Sequence, residues 1–212
     1  NRPLIRRLVG LVGQNPDDQI VATTVEEDVA FGPGNLGLSP EQTRERVEEA
    51  LSLTGLEALR HKDAGELSGG QKQKLALAGV LALRPRALAL DEAAAMLDPV
   101  SRAEILDMVC ALRRQKNLTV LWCTHRAEEA LRAERLIVLS AGTVAWDGPP
   151  AEILSRPDIA ACGVLPPPCG LLRQKLAAAG YSLPGPALTP ETCADSLAGL
   201  WAERKKENPR GR

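Results

Sequence analysis

Residues 67–71 read Leu67-Ser68-Gly69-Gly70-Gln71, and they open a proline-free segment that ends before Pro85. Serine is a favoured N-cap, so this order predicts a helix over 71–83. The first N–H groups of a helix have no partner within it and the helix dipole is positive there, so this start favours an anion, above all phosphate. A simple capped turn would also fit, but two glycines carry a backbone entropy cost that a structural role alone does not require.

Three short apolar runs lie on either side of this segment, at 8–12, 87–90 and 119–123. Their length predicts strands, and the run 87–90 is expected to be buried on both faces. Further helices are expected after the N-caps Ser39 and Asp98, each of which precedes a proline. Strands that alternate with helices predict an α/β domain with a mainly parallel sheet over residues 1–155.

Polar residues follow each of the predicted strands. Gln14 comes after the first strand, Asp91 and Glu92 end the second, and His125 follows the third. Open parallel sheets bind their ligands at the carboxyl ends of the strands, so these side chains form a candidate site. Each has a structural alternative when taken singly, because the two acids could cap a helix and the histidine could be buried in a core.

The composition is that of an ordinary globular chain. It has 212 residues, 44% of them hydrophobic and 25% charged, with a formal net charge of -1. These values exclude a disordered or collagen-like chain and give no reason to expect a nucleic-acid partner. No apolar run approaches the roughly 18 residues of a membrane-spanning helix. The five cysteines form no CxxC pair, which disfavours a zinc site or a disulfide framework and predicts reduced cytosolic thiols.

The stretch 32–37, Gly-Pro-Gly-Asn-Leu-Gly, matches the dinucleotide-binding pattern G-x-G-x-x-G. That site requires a strand before the glycines and a helix that opens among them. Here Thr24 and Glu27 have capping-box spacing, which predicts a short helix before the glycines that stops near Gly32-Pro33. We therefore reject a dinucleotide site.

The pentapeptide 67–71 resembles the signature motif of ATP-binding cassette (ABC) ATPases, and the other motifs of that family follow in the family's order. Gln14 resembles the Q-loop glutamine, and 88–92 the Walker B strand. Asp98 resembles the D-loop aspartate and His125 the switch histidine. The resemblance implies a P-loop NTPase-like fold with a helical signature subdomain over about 24–84.

A closer resemblance is to the cobalt and energy-coupling-factor import ATPases, and it rests on the stretches 14–19, 24–33 and 78–82. It implies a subunit that binds ATP and Mg²⁺ and hydrolyses ATP to energise uptake of a transition-metal ion or a vitamin. It also implies a second ABC ATPase subunit, a transmembrane energy-coupling component and a substrate-capture component as partners. The expected location is cytoplasmic, on the inner face of the cell membrane.

The resemblance also implies a role for each site residue. Asp91, together with Gln14, would hold Mg²⁺ partly through water, Glu92 would act as the general base and His125 would contact the γ-phosphate. The remaining nucleotide-binding residues would be Ser68, Gly69, Gly70, Gln71 and Asp98. In this family the signature loop acts on the ATP that the other subunit holds.

The largest departure from the family is the phosphate-binding loop. No G-x-x-x-x-G-K-[ST] occurs in the chain, and only 13 residues precede Gln14. A strand, that loop, a helix and a returning strand need roughly 30 residues or more. We therefore expect an N-terminally truncated cassette that does not hydrolyse ATP alone. The alternative function is a non-catalytic fragment that lends its signature loop to an intact partner.

A change in composition near Pro157 predicts a second region over 156–212. It contains Pro166-Pro167-Pro168 and two predicted helices, over 171–179 and 191–201. It resembles the small dimerisation or regulatory extension of the same import ATPases.

Overall fold

The computed structural model describes residues 2–185 and 187–207. In chain order the helices and strands are α1 (Arg2–Leu8), β1 (Val9–Val12), α2 (Val25–Asn35), α3 (Pro40–Thr54), α4 (Gly69–Leu81), β2 (Ala87–Asp91), α5 (Pro99–Lys116), β3 (Thr119–Cys123), α6 (Ala127–Ala130), β4 (Leu136–Ser140), β5 (Thr143–Gly148), α7 (Pro150–Leu154), α8 (Pro168–Ala178) and α9 (Pro190–Glu207). Two compact units meet at the bond between Thr124 and His125. The sequence motifs place a domain boundary at residue 155 instead, and that boundary stays a prediction.

The first unit contains a parallel sheet with the strand order β1-β2-β3. Val12 pairs with Leu90 and Leu90 with Trp122, so the three strands end close to one level. Helices lie between successive strands, α2 to α4 between β1 and β2 and α5 between β2 and β3, which confirms the predicted α/β class. The carboxyl ends of all three strands therefore lie along one edge.

Burial of this sheet is one-sided. Val12, Leu88 and Leu90 are buried in the core with the apolar residues of α4 and α5. On the opposite face Leu11 is 58% exposed and Leu121 60% exposed. The expectation that the run 87–90 is buried on both faces is therefore wrong, since Ala87 and Ala89 alternate with the buried leucines and are only half-buried. In the described residues the helices of this unit cover one face.

The helical layer is formed by α2, α3 and α4, which pack against one another. Capping boxes start all three, at Thr24 with Glu27, Ser39 with Gln42 and Ser68 with Gln71. Each box satisfies two backbone donors that a helix start leaves open, which is why these boundaries follow from local sequence.

The predicted stop of α2 near Gly32-Pro33 is wrong, because the helix continues to Asn35. Proline lacks one backbone donor, and in a last turn that removes a single hydrogen bond, while Pro33 itself is buried. Gly32 allows close packing, since a Cβ there would lie 2.8 Å from Leu83 Cδ2. The pattern G-x-G-x-x-G thus lies at the end of a helix, which confirms that a helix and not a strand precedes these glycines.

The second unit contains an antiparallel hairpin of β4 and β5 and the helices α6 to α9. Val138, Ile153 and Ile159 form a small core, with Trp146 packed against it. The Arg156 guanidinium lies 3.6 Å from the Trp146 ring centroid, a cation–π contact that covers this core. Among the residues described, no helix has the length and apolar character needed to cross a membrane.

Candidate functional site

The amino terminus of α4 presents an open, capped backbone. Ser68 Oγ accepts a hydrogen bond from Gln71 N at 3.3 Å, and Gln71 Oε1 accepts one from Ser68 N at 2.9 Å. Ser68 and Gly69 are exposed, and a Cβ added at Gly69 would meet no heavy atom within 4 Å. The positive end of the helix dipole therefore lies next to free space, as an anion site requires. The side chain of Gln71 serves this cap.

The start of α5 lies directly behind that of α4. A Cβ on Gly70 would come 2.7 Å from Ser101 Oγ, so the glycine allows the two helix starts to touch. Asp98 caps α5 by accepting hydrogen bonds from Val100 N and Ser101 N at 2.9 and 3.0 Å. Hydrogen bonds from Ser101 and the backbone lower the pKa of Asp98 below its usual range. The structure thus places the start of α4, which Ser68 caps, against the start of α5, which Asp98 caps.

Two acids end the central strand of the sheet. Asp91 is the last residue of β2 and is exposed, while Glu92 is half-buried with a backbone φ of +49°. Glu92 N donates to Cys123 O at 3.0 Å, which ties this left-handed residue to the end of β3. A positive φ is uncommon outside glycine, and here it turns the chain away from the strand at the candidate base.

The loop after β1 is attached to α4 by two side chains that the sequence did not single out. Gln73, only 1% exposed, donates from Nε2 to Gly13 O at 3.1 Å. Lys72 Nζ forms an ion pair with Asp17 Oδ1 at 2.7 Å. Gln14 lies between these two attachments, so α4 also positions the loop that carries Gln14.

Two further side chains form hydrogen bonds to the backbone of the same loop. Gln19 Oε1 accepts from Gly13 N at 2.8 Å, and its Nε2 donates to Leu11 O at 3.0 Å. The buried carboxylate of Asp28 accepts from Val21 N and Ala22 N at 2.7 and 3.0 Å. The sequence signal for the roles of Gln73 and Asp28 is weak. Gln73 is a glutamine inside the apolar stripe of α4, and Asp28 is an aspartate in the first turn of α2.

The other candidate residues belong to the first unit, whereas His125 is the first residue of the second unit. It is exposed and follows β3, as predicted. The structure therefore brings the signature residues together with Asp98, and Gln14 with the edge that carries Asp91 and Glu92.

The residues present fit the metal-binding part of a site for Mg²⁺ and a nucleotide. Within the part of the chain that is described, no group of three or more His, Cys, Asp or Glu residues could hold a metal by itself. Mg²⁺ is usually held by one or two carboxylates with phosphates and water, so Asp91 with the Gln14 amide fits that role. A loop to cradle the phosphates of the same nucleotide does not occur in the sequence.

Comparison with known proteins shows a single family. The family model described as "ABC transporter" matches residues 1–95. The energy-coupling factor transporter ATP-binding protein EcfA1 of Symbiobacterium thermophilum is 46% identical over 93% of this chain and 69% of its own length. EcfA1 of Streptococcus pneumoniae is 44% identical over 91% of this chain and 70% of its own length.

A solved structure shows the same fold. CbiO1 of Clostridium perfringens, described as part of the ABC transporter complex cbiONQ, superposes with a TM-score of 0.70. It is 32% identical, and the match covers 84% of this chain and 68% of that chain. The matches to relatives above 40% identity span more than two thirds of the length of those relatives. The chain therefore belongs to the energy-coupling factor ATP-binding proteins of the ABC transporter family.

Proposed function

We propose that this chain is the nucleotide-binding subunit that energises an ABC importer for a transition-metal ion or a vitamin. The observation that carries the proposal is the capped, open start of α4, which Gln73 and Lys72 attach to the loop of Gln14. This arrangement joins an anion site to the strand edge that carries the two acids. Family membership supports the same assignment.

Each residue then has a chemical role. Asp91 and the Gln14 amide would hold Mg²⁺, partly through water, and Glu92 would accept a proton from the attacking water. His125 donates a hydrogen bond to the terminal phosphate. The metal, when bound, neutralises charge on the phosphates.

The α4 start acts on a nucleotide that a second cassette holds. Ser68, Gly69 and Gly70 offer backbone and hydroxyl donors, with Gln71 and Asp98 fixing the two helix starts behind them. We assign residues 1–155 to the cassette and 156–212 to a dimerisation extension. The expected partners are a second ATPase subunit, a transmembrane energy-coupling component and a substrate-capture component, on the cytoplasmic face of the membrane.

Complementation tests this role directly. An ABC cassette with an intact phosphate-binding loop, but with an aspartate in its own signature motif, is mixed with this chain and its ATPase activity is measured. The activity should rise above that of the defective cassette alone, because the α4 start of this chain completes its site. No rise over a range of mixing ratios would contradict the proposal.

Gly69→Asp is the sharpest variant for this test. A Cβ at Gly69 is unobstructed, and an acid at a helix start favours the helix, so the variant should fold while repelling phosphate. It should abolish the rise in activity. Gly70→Asp would instead collide with Ser101. Gln115→Ala, on the exposed side of α5, is the control and should leave the rise unchanged.

The base is tested in a fusion of this chain to a phosphate-binding segment of an ABC cassette. Glu92→Gln should retain ATP binding and reduce turnover by about 10²- to 10⁴-fold, the usual contribution of a general base. Turnover equal to that of the unsubstituted fusion would refute the assignment. Complementation without turnover by the fusion would favour the lending function over the catalytic one.

A further inference from the structure

Two cysteines of the second unit lie on different helices and face each other. Cys169 is the second residue of α8 and Cys193 the fourth residue of α9. Cys169 packs against the small core that contains Cys193, and both are free thiols in this structure. They are 24 positions apart in the chain, so only tertiary packing brings them together.

The surroundings of the pair are apolar. Cys193 is 4% exposed and belongs to a small core with Leu183 and Ala187, against which Cys169 and Leu176 pack. Cys162 is a useful contrast, since it is nearby in sequence but packs against the separate core of Val138, Ile153 and Ile159. Cys169 therefore shares an apolar core with Cys193, and Cys162 does not.

Burial raises the pKa of the Cys169 thiol, and the neighbouring Cys193 and Glu191 raise it further. Thiolate is the reactive form, so the raised pKa slows the attack of Cys169 on an external disulfide but does not set the redox equilibrium of the pair. Cys169 is the more exposed of the two, which makes it the sulfur that an external reagent reaches first.

We propose that Cys169 and Cys193 form a modification site at which a low-molecular-weight disulfide reversibly oxidises the two thiols to one disulfide. The Cys169 thiolate attacks one sulfur of oxidised glutathione and releases one glutathione thiolate. The Cys193 thiolate then attacks Cys169 Sγ and releases the second. The protein loses two electrons and two protons, and one oxidised glutathione becomes two reduced glutathione molecules.

The disulfide would join α8 to α9, which otherwise meet through the small core around Cys193. Closing the chain between residues 169 and 193 restricts the unfolded state, so the oxidised second unit should be the more stable form. The expected effect is on the stability of the second unit.

The full chain is incubated with oxidised glutathione and digested with trypsin without reduction. Trypsin should release peptides 136–173 and 176–204 as one linked species, which separates after dithiothreitol. Because peptide 136–173 also contains Cys162, the variant Cys162→Ser is the matched control and should keep the link. Cys169→Ala and Cys193→Ala should each abolish it.

Thermal unfolding supplies a second readout. The oxidised chain should show a midpoint for the second unit that is higher by roughly 10 °C, and the increase should disappear after reduction. Only mixed glutathione adducts, a link through Cys162, or a link between two chains on a non-reducing gel would each overturn the proposal.

Discussion

Replacing Gln73 tests how the loop after β1 is held. In Gln73→Met the carbonyl of Gly13 loses its donor, and leaving such a buried group unpaired costs about 1–3 kcal/mol. The same change removes Gln73 Oε1, a buried oxygen without a hydrogen-bond partner among the described residues. Relief of that oxygen is worth a similar amount, so the free energy of unfolding should change by less than about 1 kcal/mol.

Gln73→Glu should behave differently. The carboxylate has no donor for Gly13 O and is buried, so desolvation raises its pKa in the folded state above the unfolded value of about 4.3. A raised acid pKa means that stability is highest below the unfolded pKa and falls as the pH rises above it. A shift of about 2 units lowers the free energy of unfolding by about 2.7 kcal/mol at pH 7.

Urea unfolding at pH 4 and pH 7 measures the difference. Trp122 reports the first unit when Trp146 and Trp201, both in the second unit, are replaced by phenylalanine. Both variants should also speed amide exchange over residues 13–19, whereas Val47→Ala, a core truncation in α3, should not do so selectively. Equal stability of Gln73→Glu and Gln73→Met at pH 7 would refute the reasoning.

Three further substitutions should change the free energy of unfolding of the first unit. One effect depends on pH, and two glycine replacements act in opposite directions. Hydrogen bonds from Lys116 and Arg84 lower the pKa of Glu49, so its contribution is present above the usual glutamate pKa and lost as the pH falls through the lowered value. Glu49→Gln should therefore cost about 1 kcal/mol or less at pH 7 and nothing near pH 2, as measured by urea unfolding. Gly79→Ala, in the interior of α4 with open space around its Cβ, should raise the free energy of unfolding by about 0.5–1 kcal/mol. Gly10→Ala should lower it by about 1–3 kcal/mol because the new methyl collides with Val80, and a calorimetric scan that ranks the two alanines the other way would contradict this packing.

Local sequence predicted the parts of the fold that local chemistry controls. The capping boxes at Ser39 and Ser68 act within three residues, so the starts of α3 and α4 lie within two residues of their predicted places. Short apolar runs placed β2 and β3 in the same way. The order of the polar residues after the strands was enough to identify the candidate site, because parallel strands end on one edge.

Tertiary structure decided what depends on residues far apart in the chain. Gln73 and Gly13 are 60 positions apart, and no periodicity distinguishes this glutamine from a tolerated polar residue in the apolar stripe of α4. The helix α2 continues through Pro33, which is buried, because a proline in the last turn removes only one hydrogen bond. The sequence by itself determined the helix starts, the strands and the family motifs, because these are local patterns. The one-sided burial of the sheet, the attachment of the loop around Gln14 to α4 and the packing of Cys169 against the core of Cys193 required the packed chain, because each depends on which distant surfaces meet.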